Sequence, residues 1–248
     1  MNPENLGPQK MAALEAELSE FSYIVSHDLA TVCRHLTQFS QLLLQEAGAE
    51  LNPSQLSLAG HIQTAGGRCQ AMMEQLLVFS RIQQRELKLA SHDARKLVQI
   101  AVLQLSEDIR ASSVDLKIAT DGEVYGDADL LTKAFRHLLQ NAIKFRRGDA
   151  LCRVSIHTAR TEGGWVGRVT DNGIGLAIDH QEKAFRMFWQ LSAERGKPGV
   201  GAGLAICRRI ARRHGGDVRF VPQPSGACLE LAMPDECHAA TSSDEVGE

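Results

Sequence analysis

No run of about 18 apolar residues occurs anywhere in this 248-residue sequence, so no segment has the length of a membrane span. The opening MNPENLGPQK has no apolar core, which argues against a secretory leader. Nor is there an excess of either charge: 27 basic side chains face 30 acidic ones, for a net charge of −3. That balance excludes the electrostatic footprint of a nucleic-acid binder or of an anionic membrane surface. The six cysteines include no CxxC and no zinc-type spacing, so free thiols in a reducing cytosol fit better than a disulfide framework. The expected location is cytoplasmic. Phosphate-binding GxxxxGK[ST] and dinucleotide-binding GxGxxG are absent too, and no internal repeat is visible.

What is present falls into two halves. Hydrophobic residues make up 44% of the chain, enough for a packed core. From Lys10 to about Arg85 the pattern is that of two long helices. Leu14, Leu18, Phe21, Val25, Val32, Phe39 and Leu43 repeat at three-, four- and seven-residue steps, the seam of a bundle helix. GAELNPS (48–54) is the break, with Asn52 as N-cap and Pro53 as first helical residue. Two antiparallel helices cannot bury two apolar stripes alone, so pairing with a second copy into a four-helix bundle is expected. The second helix carries Gly60, Gly66 and Gly67, which predict a helix that bends or loosens.

After the junction RELKLASHDAR (85–95) the grammar changes. Residues 94–112 read as helix, and 114–118 and 124–125 as strands. Asp127 to Phe145 reads as an amphipathic helix with Leu131, Phe135, Leu138 and Ala142 on one face. Strand pairs follow at 154–158 and 165–170, then a glycine-rich stretch. A helix at 204–214 stops at Gly215-Gly216, and closing strands fall at 218–221 and 228–232. The fold class is α+β: a helical hairpin, then an α/β sandwich with helices on one face of a mixed sheet.

Four short stretches carry chemistry. In FSYIVSHDL (21–29), His27 lies off the Val25/Val32 seam and is expected to face solvent. Asp28 beside it is able to accept from Nδ1–H and leave Nε2 as a nucleophile. In RHLLQNAIKF (136–145), His137, Asn141 and Lys144 share one polar helix face. There an amide oxygen suits Mg²⁺ and an ammonium suits phosphate. In DNGIGL (171–176) a strand-end carboxylate is followed by glycines that let backbone approach a flat ligand, although DNG alone is also turn chemistry. In GVGAGLA (199–205) a glycine-rich segment opens a helix, where backbone N–H groups favour phosphate oxygens.

The order of these stretches, with Phe185 and Phe188 spaced as FxxF between the last two, resembles the H, N, G1, F and G2 boxes of sensor histidine kinases. The likeness spans about residues 18 to 234, and the wording VSHDL, NAIKF and GLAI is closest to the phytochrome-like branch. It implies a dimerisation and phosphotransfer domain over 12–88 and a Bergerat-type ATP-binding domain over 92–235, between a lead of 1–11 and a polar tail of 236–248. It implies ATP and Mg²⁺ as cofactors, His27 as phosphoacceptor and Asp28 as its acid/base partner. Asn141 would hold Mg²⁺, Lys144 would touch phosphates, and Asp171 would read adenine in a pocket shaped by Gly173 and Gly175. Residues 177–198, with Phe188, would form an ATP lid. Gly199, Gly201 and Gly203 would serve as hinge and phosphate contacts, with Leu204 beginning the helix behind them. Thr31, one helical turn after His27, matches kinases that also dephosphorylate their regulators. The partners implied are a response-regulator receiver domain and a second copy of the chain.

Four features depart from the family pattern. Val32 replaces a proline, His137 replaces the first asparagine of the N box, and Gly226-Ala-Cys228 replaces Gly-[Ser/Thr]-Thr. No sensor domain precedes the hairpin within this sequence, which reads as a piece of a longer protein or as a small stand-alone kinase. The main rival is a dimeric phosphotransfer scaffold with a degenerate ATP domain. The intact DNGIG and GxGxG stand against it. Anti-sigma serine kinases share the ATP fold but lack the HDL hairpin, and gyrase-, MutL- and chaperone-type ATPases follow the pocket with other domains.

Overall fold

The computed structural model describes residues 8–48, 50–148, 150–191 and 199–235, with backbone alone for 8–27. The chain divides into two compact units, the first ending at Arg85 and the second beginning at Glu86.

The first unit is a hairpin of α1 (Pro8–Ala47) and α2 (Pro53–Gln84). The sequence places the turn correctly because α2 opens on a capping box. Asn52 Oδ1 accepts from Gln55 N at 3.0 Å, Gln55 Oε1 accepts from Asn52 N at 2.8 Å, and Pro53 occupies N1. The helices meet through small residues. Ala30, Cys33 and Ser40 of α1 and Ala59 and Gly66 of α2 are buried, and Ser40 Oγ donates to Ala59 O at 3.0 Å. A Cβ on Gly66 would stand 2.5 Å from Thr37 Oγ1, so glycine is required for this approach.

The described part of the predicted seam therefore lies elsewhere than inside the hairpin. Val32 (54% exposed), Phe39 (66%) and Leu43 (49%) point away from α2, as Leu58 and Ile62 point away from α1. Leu14, Leu18, Phe21 and Val25 lie outside the described side chains.

The second unit stacks helices on a five-stranded sheet of order β2 (Asp115–Ala119), β4 (Arg153–Thr161), β5 (Gly164–Asp171), β7 (Cys228–Met233), β6 (Asp217–Phe220). Only β2 and β4 run parallel; the other neighbours are antiparallel. Along β4 the side chains alternate, with Val154, Ile156 and Thr158 buried and Ser155 and His157 exposed, the period-two signature of a sheet covered on one face. The helices above are α3 (Ala94–Gln104), the short α4 (Ser106–Ala111), α5 (Ala128–Lys144) and α7 (Gly203–Arg213). Leu131, Phe135, Leu138 and Ala142 of α5 are all buried, and Phe135 meets Trp165 of β5 edge-on at 6.0 Å.

The segment read from sequence as a junction is partly a strand. Leu89–Asp93 (β1) pairs antiparallel with β3 (Glu123–Asp127) in a separate two-stranded sheet. Its five residues are all half-buried or exposed and carry no apolar alternation, so periodicity gave no signal.

Two buried polar groups tie the helices to this scaffold. Asp127 caps α5 by accepting from Leu130 N at 3.2 Å, and it accepts from Lys88 N at 3.1 Å. His214, fully buried just past α7, accepts the Asp127 N–H through Nε2 at 3.0 Å and meets Ile210 O through Nδ1 at 2.8 Å. The proton therefore sits on Nδ1, and burial holds the ring below its ordinary pKa.

Candidate nucleotide site

The site is built where β5 ends. Asp171 is buried there, and its Oδ1 accepts two backbone N–H groups, Gly173 at 2.8 Å and Ala227 at 3.1 Å. Oδ2 has no hydrogen-bond partner among the described residues. Burial lifts the carboxyl above its ordinary 3.8, and the bonds from Gly173 and Ala227 offset only part of that rise. The two loops around Asp171 interlock so closely that side chains are excluded. A Cβ on Gly226, at φ +76°, would collide with Asp171 O, and one on Gly173 would collide with Phe145 O. Ile174 N donates to Phe145 O at 3.0 Å, and Arg147 Nε donates to Gly173 O at 3.1 Å, so the DNG loop is fastened to the end of α5.

The glycines after position 198 bring the other edge to α5. A Cβ at Gly199 would lie 3.6 Å from Lys144 Nζ, and one at Gly203 would lie 3.5 Å from His137 Nδ1. Gln190 Nε2 donates to Gly199 O at 2.7 Å, and Gly201 packs against Trp189 O. Thus Gly199 faces Lys144 and Gly203 faces His137 along α5, while Asp171, Gly173 and Gly175 cluster with Gly226 beside Phe145, at the C-terminal end of α5. Asn141 and Leu204 are half-buried.

Two expectations change. His137 is not on a solvated polar face: it is 9% exposed beneath Gly203, and burial first, then the charges of Arg136 and Lys133, lower its pKa to about 3. It is a neutral imidazole at any ordinary pH. The stretch assigned to a lid is in part anchored structure, for Ile178–Gln181 (α6) and a single 3₁₀ turn at Lys183–Phe185 precede Phe188. Phe185 is buried, packs edge-on against Phe220 at 5.6 Å and carries the Arg208 guanidinium at 4.1 Å. Arg208 of α7 also pairs with Glu182 at 2.5 Å and Asp217 at 2.9 Å. Phe188 is half-buried with φ +63°. Residues 192–198 of that stretch lie outside the described residues.

Several contributors escaped sequence reading. Ala227, Phe145 and Gly226 act through backbone atoms, which residue type does not advertise. Gln223 Nε2 donates to Asp171 O at 3.3 Å. At the position where a hydroxyl is usual, buried Cys228 instead accepts from Thr170 Oγ1 through sulfur at 3.3 Å.

In the first unit, His27 lies within α1, and its side chain, with the expectation that it faces solvent, is outside what is described. Asp28 is exposed and Thr31 half-buried. Among the described residues no cluster of three or more His, Cys, Asp or Glu is placed to hold a metal ion. No helix among them is long and apolar enough to cross a membrane.

Residues 126–236, which hold this whole arrangement, match the family of histidine kinase-, DNA gyrase B- and HSP90-like ATPases. The phytochrome-like protein Cph1 of Synechocystis is 28% identical over 220 residues, covering 88% of this chain and 29% of its own length. The sensor-like histidine kinase SenX3 of Mycolicibacterium smegmatis is 31% identical over 243 residues, covering 94% of this chain and 62% of its own. The chain is homologous to the catalytic cores of sensor histidine kinases.

Within its second unit, residues 126–236 carry the match to the ATPase family. The structure of full-length ShkA in complex with AMPPNP matches with TM-score 0.62 at 22% identity, over 89% of this chain and 47% of that one. Histidine kinase ThkA in complex with response regulator TrrA matches with TM-score 0.61 at 19% identity, over 85% and 61%. Both share the fold of a helical hairpin followed by an α/β unit. The chain spans less than two thirds of the length of these curated relatives.

Proposed function

We propose that this kinase core, as a homodimer, transfers the γ-phosphoryl group of ATP to His27 and passes it to an aspartate of a response-regulator receiver domain. The observation that carries the reading is the Asp171 carboxylate. One of its oxygens is committed to Gly173 and Ala227, and the other is left to accept from an adenine amino group. Beside Phe145, which holds this loop, stand Lys144 and Gly199, where an ammonium and a glycine-rich backbone suit a triphosphate.

The roles follow the geometry. Gly173, Gly175 and Gly226 bring backbone against a flat ring, and Lys144 with Gly199, Gly201 and Gly203 holds phosphates. Phe188 closes the intervening segment, and Leu204 starts the helix that carries it. Mg²⁺ would supply charge neutralisation for the phosphates; the half-buried Asn141 amide would hold it, with neutral His137 one turn away on α5. A single amide with phosphates and water suits Mg²⁺, which seldom uses an all-protein cage. Asp28 accepts the Nδ1 proton while His27 Nε2 forms the P–N bond and ADP departs with the cleaved oxygen.

Dimerisation is supported by the large apolar side chains that α1 and α2 leave outward, since a second hairpin would cover them. The functional domains then run over 12–88 and 92–235. The rival scaffold reading draws on His137 and Cys228, the two departures that fall in the pocket. The test is labelling with γ-labelled Mg-ATP followed by acid and alkali. Label lost in acid, retained in base and absent from His27→Ala supports the kinase. Nucleotide binding without any label supports the scaffold.

A further inference from the structure

Where Gly66 lets α1 and α2 come close, the hairpin carries two thiols. Cys33 Sγ donates to Cys69 Sγ at 2.7 Å, across 36 residues of sequence, and both cysteines are free. Gly66 makes the approach possible, since a Cβ there would press on Thr37 Oγ1, whose hydroxyl donates to Cys33 O at 2.9 Å. Cys33 is 8% exposed, whereas Cys69 is half-buried and open to a small reagent. The other described cysteines, Cys152, Cys207 and Cys228, are buried in the second unit. The pair sits six residues beyond His27, about 9 Å along the helix axis at ~1.5 Å per residue.

We propose that Cys33 and Cys69 form a reversible dithiol/disulfide site whose co-reactant is a small-molecule disulfide, and that its oxidation staples the hairpin and slows the kinase. The kinase half of this statement rests on the proposed function above; the chemical half does not. The half-buried Cys69, as its thiolate, attacks the small disulfide, forming a mixed disulfide and releasing one small thiol. Cys33 sulfur then attacks Cys69 sulfur, forming the Cys33–Cys69 bond and releasing the second small thiol. Two protein thiols are oxidised, one disulfide is reduced to two thiols, and the two protons leave with those thiols. The bond to Cys69, and then burial, raise the Cys33 pKa, so Cys33 is ill suited to the first attack, and its part in the second, intramolecular step rests on its place against Cys69 sulfur. Transient, regulatory disulfides are the kind that a reducing compartment permits. The new bond removes the freedom of α1 to rotate or slide against α2 beside Gly66 and Gly67, at the level next to the phosphoacceptor.

The test incubates the 248-residue chain with oxidised glutathione at graded ratios to reduced glutathione. Peptide mass mapping then follows without reduction, with gel migration and labelling by γ-labelled Mg-ATP measured in parallel. The expected product is a monomer-migrating chain lighter by two hydrogen atoms, with Cys33 and Cys69 peptides linked. It should have a raised melting temperature and several-fold slower labelling, both reversed by dithiothreitol. Cys69→Ser should take up no second thiol and keep its labelling rate in oxidised buffer. Cys33→Ser should stop at a stable glutathione adduct on Cys69. A wild-type chain that also stops at the adduct, cross-links to a second chain or does not react overturns the site. A mapped internal bond with undiminished labelling overturns only the regulation. Absence of labelling in every redox state is instead a failure of the kinase reading and leaves the mapped bond standing.

Discussion

Asp171 and Ala227 hold each other twice: Asp171 N donates to Ala227 O at 2.8 Å, and Ala227 N returns the bond to Asp171 Oδ1 at 3.1 Å. The reciprocal pair fixes one carboxylate oxygen inward and aims the other at the site. Asp171→Asn can keep the inward acceptor through its amide oxygen, but it replaces the outward acceptor with a donor. Nucleotide affinity should fall ~10- to 100-fold, the scale of a lost hydrogen bond to a charged group, while circular dichroism and melting stay near wild type. Calorimetric titration with a non-hydrolysable ATP analogue measures it.

His137→Asn should tighten nucleotide binding in the same titration, since it supplies an amide where the family pattern has one. It should also change the acid limb of stability. A base whose folded pKa, about 3, lies below its ordinary 6.5 binds its proton more readily when unfolded. Wild type therefore loses stability as pH falls below 6.5 and through the acid range toward 3, and the asparagine variant should lose less. Urea titrations at a series of pH values read the difference.

Glu230 sits fully buried between Arg168 (2.7 Å) and Arg219 (2.6 Å) on the sheet. Burial alone would raise its pKa, but the two guanidinium bonds outweigh this and hold it below 4.5. Its contribution is present above pH 4.5 and is lost as pH falls through the lower folded value. Glu230→Gln should cost about 2 kcal/mol at neutral pH, short of a fully buried pair because both arginines reach solvent. The cost should shrink in acid, as chemical denaturation at neutral and acid pH would show.

Gly66 and Gly67 should respond in opposite directions to alanine. Gly67 has open space around its Cβ position, so Gly67→Ala should stabilise by about 1 kcal/mol. Gly66→Ala must displace Thr37 Oγ1 from its bond to Cys33 O, and it should offset or reverse that gain. Melting temperatures of the two variants decide it; equal gains would mean that the helices separate freely at this level.

Thr31→Ala should keep autophosphorylation and transfer to the regulator but lose regulator dephosphorylation, because a hydroxyl that only orients water has no part in attack on ATP. Decay of purified phospho-regulator with the kinase and ADP measures it.

The helical elements were legible because their signals are local. Asn52-Pro53 marked the start of α2, and the spacing of Leu131, Phe135, Leu138 and Ala142 marked α5. His137 was misplaced because a helical wheel assumes one covered face, whereas α7 covers α5 from a second side through Gly203. Val32 and Phe39 read as the seam of a bundle helix and are exposed on the hairpin, whereas its close crossing is made by Ala30, Cys33, Ser40 and Gly66, small residues that a count of large apolar side chains passes over. DNGIG and GVGAG are legible as motifs, but much of what surrounds Asp171 comes from the backbone of Phe145, Gly226 and Ala227, and such contacts leave no residue-type signature.

Buried His214 gives α5 and α7 a shared rivet. The two helices run antiparallel, with Asp127 beside His214 at one end, His137 beside Gly203 farther along, and Lys144 beside Gly199 at the other. At the riveted end both ring nitrogens are engaged and no solvent can substitute for either partner. At the far end the facing element is a glycine loop, held by Gln190 through Gly199 O. The pair is pinned where His214 joins it and opens on a glycine loop beside Lys144, while the sheet beneath keeps its register. Amide exchange should slow steadily from the glycine loop toward Asp127 along both helices.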